Sequence, residues 1–230
     1  MKITHVTRGN EYLSSTPKYL LLYDALCFEK PEFIHLPLVI KADGTKISKR
    51  NKDDNLIDLL NDGFLPEAII NYLALIGWAP KTEQEIFSLD ELIREFDVTR
   101  INNSPGCYDV KKLEWFNHHY IMQMNDEDYL KFVRPFLENT YNLSEKSDEW
   151  INKLLLIYKN HISFGKEIVL VTHMFFEDTL SLENDCLDFL KSDASIEQTL
   201  STFKMEIEQI VEWNIENINN AINNVKNLTG

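Results

Sequence analysis

Four cations stand within seven residues at Lys46, Lys49, Arg50 and Lys52, in a 230-residue chain whose net charge is −14. A hydroxyl, Ser48, lies between the first two lysines, and Asp43-Gly44 predicts a tight turn just before them. An apolar run over residues 36–40 feeds the segment. Lysines and a hydroxyl on a loop leaving a strand end suit the phosphates of a nucleotide. An ammonium meets phosphate as a mobile point charge, and loops on a rigid scaffold carry many binding groups. Taken alone, a basic run of this length is solvated surface more often than a nucleotide site, so the flanking elements must decide.

Upstream, residues 3–7 are β-branched enough for a strand, broken by Arg8-Gly9-Asn10-Glu11. Thr16-Pro17 predicts a helix N-cap and first turn, the helix running to about Cys27. Residues 33–41 predict a second strand. Strand, helix, strand is the crossover unit of parallel sheets, and the lysine segment then leaves the sheet at the edge where such sheets bind ligands. Two parallel strands are nevertheless too little sheet for a domain.

Downstream, a short helix over 54–61 closes at Gly63, and Pro66 opens another that stops at Gly77. Ser88 and Glu91 form a capping box, and Asp109 caps the helix carrying Val110, Leu113 and Phe116. No strand is predicted after Leu56. Apolar stripes follow at Tyr129, Phe132, Val133 and Phe136, with a kink expected at Pro135. Further stripes at Trp150, Ile151, Leu154 and Leu155, over 168–176, at Leu200, Phe203 and Ile207, and at Ile215, Ile218 and Ile222 read as core.

Hydrophobic residues make up 44% and charged residues 26%, values of a soluble globular chain. Against 37 acids stand 23 Lys and Arg, which argues against general DNA or RNA coating but allows a local basic face. Cys27, Cys107 and Cys186 are scattered and fit unpaired thiols in a reducing cytoplasm. No run is long enough to span a membrane. His118-His119 has the look of a metal or acid–base pair, but neighbours on a helix do not share a face. His5 and His35 read as structural.

Together these residues resemble the glutamyl-tRNA synthetase family of class I aminoacyl-tRNA ligases. Lys46-Ile47-Ser48-Lys49-Arg50 is similar to that family's form of the class I lysine signature. Ile3 to Glu11, then Ser15-Thr16-Pro17 and Leu22-Tyr23, resembles the segment upstream of it. Gly63 to Ala68, Asn71-Tyr72-Leu73 and Gly77-Trp78 follow, then Ile86-Phe87, Phe96-Asp97, Asp109-Val110, Lys112-Leu113, Trp115, Asn117 and Tyr120-Ile121.

The resemblance implies that glutamate and ATP, with Mg2+, form glutamyl-adenylate, which then esterifies tRNA(Glu). Lys49 and Lys46 would contact ATP, with Ser48 supporting the closed loop as the third catalytic residue. Arg8 would bind a carboxylate of the amino acid, and Glu11 would lie near the nucleotide. Trp78 and Trp115 read as packing residues or as residues lying where an acceptor stem would be held. No bound metal is expected in the chain itself. The implied protein is a cytoplasmic monomer whose partners are tRNA(Glu), ATP and L-glutamate.

The same resemblance marks departures. A His-x-Gly-His signature is absent, Asn10 stands where an acid is usual, and Tyr12 where Trp or His is usual. The expectation is therefore a C-terminal fragment, inactive alone. Its fold class is mostly α. A small α/β remnant over 1–53 leads to a helical stem-contact region over 54–122 and a helical anticodon-binding region over 123–230. A free-standing, non-catalytic tRNA-binding module is the alternative, and charging of both Glu and Gln tRNAs is not distinguished.

Overall fold

The computed structural model describes residues 2–41, 43–45, 55–177 and 184–229. It is mostly α and falls into two compact units, Met1–Phe176 and Glu177–Gly230.

The first unit opens with β1 (His5–Gly9), a 3-10 turn (Asn10–Ser15), α1 (Thr16–Ala25) and β2 (Glu32–Leu36). β1 and β2 pair in parallel, with Arg8 opposite His35 and Gly9 opposite Leu36. The strand does not break at Arg8 as expected, because ladder pairing carries it on to Gly9. Nor is Thr16 the N-cap: Ser15 takes that place, and the Thr16 hydroxyl turns to the Tyr12 carbonyl and His35 instead. The helix ends at Ala25, two residues early, and Cys27 takes a positive φ of 53°. None of residues 2–41 is buried, and Leu21, Leu22 and Phe28 are all more than half exposed.

The expected second strand over 33–41 is two strands. β2 stops before Pro37, which has no N–H to donate to a ladder. β3 (Val39–Lys41) then pairs in parallel with a different partner, β4 (Gly106–Tyr108). β4 overturns the expectation of no strand after Leu56. Three residues ending on Tyr108, with no alternation long enough to read, give little sequence signal.

The helical body follows: α2 (Leu56–Asp62), α3 (Pro66–Gly77), α4 (Leu89–Glu95), α5 (Val110–Gln123), α6 (Asp126–Glu138), α7 (Asp148–Ile157) and α8 (Glu167–Thr172). Caps are as expected from their residue types. Asn55 accepts from Ile57 N–H, Ser88 and Glu91 form the full capping box, and Asp109 accepts from Lys111 N–H. Gly63 ends α2 at φ 91°, and a Cβ there would stand 2.6 Å from the Gly165 nitrogen, so only glycine fits. α6 continues through Pro135 to Glu138.

Two apolar clusters fill this body. Leu65, Ala68, Ile121, Tyr129, Val133, Leu137, Ile151, Leu155, Ile162 and Ile168 form one. Phe64, Ile69, Tyr72, Tyr108, Leu113 and Phe116 form the other. A third, smaller set joins Trp78, Phe87 and Leu92. The second unit holds α9 (Asn184–Ser192), α10 (Ala194–Glu208) and α11 (Ile215–Thr229), with Ala221 and Val225 buried and Asn224 bonded to Glu206.

Buried polar side chains brace the clusters. Asn117 accepts from Leu65 N–H at 2.7 Å and donates to the carbonyls of Ser163 at 2.6 Å and Gly63 at 3.3 Å. Asn71 accepts from Phe87 N–H and donates to the Glu85 carbonyl. The Tyr72 hydroxyl donates to the Asp109 carbonyl and accepts from Asp109 N–H at 2.6 Å.

Replacing Asn117 by Ala would leave Leu65 N–H and the Ser163 carbonyl buried without that partner. The expected loss is about 3 kcal/mol, read by urea unfolding. Burial is the main cause that pushes the phenols of Tyr72 and Tyr120 up to about 12, from an ordinary 10.0. Between those values the folded chain holds more protons than the unfolded one, so its stability is full below pH 10 and falls as pH rises toward about 12. Unfolding midpoints across that window should fall for the wild type and fall less for Tyr72→Phe.

Candidate active site

Parallel strands present ligand groups at their carboxyl ends, and Arg8 and His35 face each other at that end of β1 and β2. The Arg8 guanidinium carbon lies 4.8 Å from the centroid of the Tyr12 ring and 5.9 Å from that of Tyr19. A cavity of about 140 Å3 adjoins them, lined by Val6, Arg8, Tyr12, Thr16, Tyr19, Tyr23 and Phe33. Arg8 is exposed, and no described carboxylate forms an ion pair with it. A salt-bridge partner at the strand end is therefore not its role among the described residues.

Glu11 sits in the 3-10 turn, its carboxylate folded against Gly9 where a side chain would otherwise stand. The turn is tied down by hydroxyls. Ser15 and Thr16 both donate to the Tyr12 carbonyl, at 2.9 and 3.0 Å. With the Thr16 proton so committed, His35 Nε2 at 3.0 Å is the donor to Thr16 Oγ1. His35 is thus a structural tie between β2 and the turn. His5 lies 3.4 Å from Glu32 on the neighbouring strand.

Below the lysine segment the described chain closes into a small stem. Lys41 N–H donates to the Thr45 carbonyl at 2.8 Å, and Gly44 N–H to the Lys41 carbonyl at 2.9 Å. Asp43 accepts from the Thr45 hydroxyl at 2.6 Å and from its N–H at 2.9 Å. Those bonds, the hydroxyl first, hold the Asp43 carboxyl below its ordinary value. The expected Asp43-Gly44 turn is present. Lys46, Ser48, Lys49, Arg50 and Lys52 lie outside the described residues.

The remaining candidates are placed in the body. His118 Nδ1 bonds to the Ile162 carbonyl at 2.8 Å, while His119 Nε2 is 2.9 Å from Gln123, so the adjacent histidines serve separate partners. Trp78 is buried against Phe87 and Phe96, and Trp115 is about half exposed with its ring edge-on to Phe116. An open groove of about 740 Å3 lies beside α2 and α5. It carries Asp58, Asp62 and Glu114 beside the stacked rings of Phe64 and Phe164, which is the wrong charge for a nucleotide.

A family model described as the catalytic domain of class I tRNA synthetases (E and Q) matches residues 1–115. The chain belongs to that family. A second model, an anticodon binding domain, matches residues 128–230. The chain is 37% identical over 231 residues to a glutamate–tRNA ligase of Mycoplasma mycoides subsp. mycoides SC, and 34% identical over 238 residues to that of Bacillus subtilis. These alignments cover 99% and 100% of this chain but 48% and 49% of the relatives. A crystal structure of a glutamate tRNA ligase from Elizabethkingia meningosepticum in complex with its amino acid superposes with a TM-score of 0.75 at 31% identity. It covers all of this chain and 49% of that one. The chain thus spans about half the length of the curated relatives it matches.

Within this class I synthetase chain, Asn71, Tyr72, Asp109, Asn117 and Tyr120, which carried much of the resemblance, are internal braces. The feature missed in sequence is the aromatic setting of Arg8. Its only signal was the pair of tyrosines seven residues apart, at Tyr12 and Tyr19. Thr16→Val should break the link from His35 to the turn. The expected cost is about 1 kcal/mol in unfolding free energy, with the His35 Nε2 proton signal exchanging faster by NMR.

Proposed function

We propose that the protein to which this chain belongs activates glutamate with ATP and transfers it to tRNA(Glu). Similarity along the whole chain to glutamate–tRNA ligases, at 34–37% identity, carries this reading. In the reaction a glutamate carboxylate oxygen attacks the α-phosphorus of ATP, and pyrophosphate leaves with the bonding electron pair. A ribose hydroxyl of tRNA then attacks the acyl carbon of the resulting mixed anhydride, forming the ester and releasing AMP with the bonding electron pair.

Charge spreads over the phosphoryl oxygens during that displacement, so fixed and mobile cations supply most of the catalysis. Lys46 and Lys49 are assigned to the ATP phosphates, Ser48 to support of the loop, and Mg2+ accompanies the nucleotide. Arg8 is assigned to a glutamate carboxylate, a task suited to in-plane guanidinium donors, and its exposed position, with no ion pair among the described residues, fits. Glu11 is assigned to the edge of the nucleotide site. Residues 1–53 belong to the catalytic part, 54–122 to a stem-contact region and 123–230 to anticodon binding. The protein is taken to be a cytoplasmic monomer. Among the described residues no helix is long and apolar enough to cross a membrane.

ATP–pyrophosphate exchange by the intact protein, with glutamate and tRNA present, tests the assignment. Lys49→Ala should lower exchange about a hundredfold or more while the unfolding midpoint holds. Unchanged exchange in that variant would remove Lys49 from the site.

A further inference from the structure

Arg8 carries a full positive charge in a chain of net charge −14, yet it lies over two aromatic rings and, among the described residues, forms no ion pair. The stacking of a guanidinium on rings engages its faces. Its N–H donors all lie in the plane, and a ring face does not occupy them. A carboxylate partner within the chain would have used that edge instead.

The rings themselves are set in place. The Tyr12 carbonyl takes the hydroxyls of Ser15 and Thr16, and Thr16 is bonded to His35, the residue opposite Arg8 on β2. Tyr19 follows one turn into α1, whose first residue is that same Thr16. The turn, the helix start and both strands thus fix the backbone that carries the two rings beside the strand end that bears Arg8.

We propose that Tyr12 and Tyr19 are positioning residues that hold the Arg8 guanidinium plane so that its N–H edge meets a substrate carboxylate. The proposal rests on the glutamate reading above, in which Arg8 touches the substrate and the tyrosines act only through it. The ring at position 12 matters and its hydroxyl does not: the cation lies over the ring, and among the described residues no hydrogen bond of the Tyr12 hydroxyl takes part.

The test uses the full chain labelled with 15N, with the Arg8 Nε–Hε signal assigned by its loss in Arg8→Lys. Ring currents should set that signal apart from those of the other arginines in the wild type and in Tyr12→Phe. In Tyr12→Leu it should move back toward them. L-glutamate titrated into the same samples should shift the Arg8 signal. The apparent Kd should rise about two- to fivefold in Tyr12→Leu, the worth of one exposed cation–π contact, and be restored in Tyr12→Phe. An Arg8 signal identical in the wild type and Tyr12→Leu, or equal loss in the Leu and Phe variants, would overturn the proposal. Should glutamate leave the wild-type Arg8 signal unmoved, the carboxylate assignment falls. The Leu and Phe contrast in the free chain would still judge the stacking by itself.

Discussion

One buried carboxamide holds three separated stretches of the first unit together. Asn117, on α5, binds the Gly63–Leu65 turn and the Ser163 carbonyl at once, and the Gly165 and Lys166 amides reinforce the join at Gly63 and Asp62. Phe64 and Leu65, adjacent in sequence, enter different apolar clusters. A shift of one residue in that turn would send each ring or branch toward the wrong cluster. The amide at Leu65, fixed by Asn117, prevents it, and the low dielectric of the interior makes that bond costly to lose. Packing of α3, α5 and α8 all depends on this register.

Charge is distributed with a similar economy. Many of the cations in the body are paired: Lys112 with Glu85, Arg134 with Glu138 and Asp148, Lys166 with Asp62. These surface pairs add little stability. Arg8 instead lies over two rings, Tyr12 and Tyr19. In so acidic a chain, an exposed guanidinium over aromatic rings, without a described acid partner, is the observation on which the carboxylate proposal for Arg8 rests.

Much of the architecture was legible because local chemistry and tertiary structure agree. Caps at Ser88 and Asp109, the stop at Gly63 and the stripes of α6 and α7 each follow from residue type and period. What was not legible depends on partners distant in sequence. β2 and β3 read as one strand because nothing local says that Val39 will pair with Gly106. Thr16 reads as a cap because a hydroxyl before Pro17 usually is one, and the Tyr12 carbonyl and the distant His35 give it other work. In the site, residue identities suggested Arg8 and Glu11, but the ring faces beneath Arg8 came from geometry that spacing alone does not reveal.

The split of β2 from β3 has a mechanical meaning. β3 carries the stem at residues 41–45 that leads to the lysine segment, and it belongs to a two-stranded sheet of its own with β4. Gly106 of β4 lies so close to Ile76 at the end of α3 that no side chain would fit between them. The β3 end of the stem is therefore bolted to the helical body, while Arg8 stands on the β1–β2 pair, and among the described residues no ladder hydrogen bond joins the two sheets. Lys41 at the end of β3 and Arg8 on β1 rest on separate foundations, with Pro37 and Leu38 as the linkage between them.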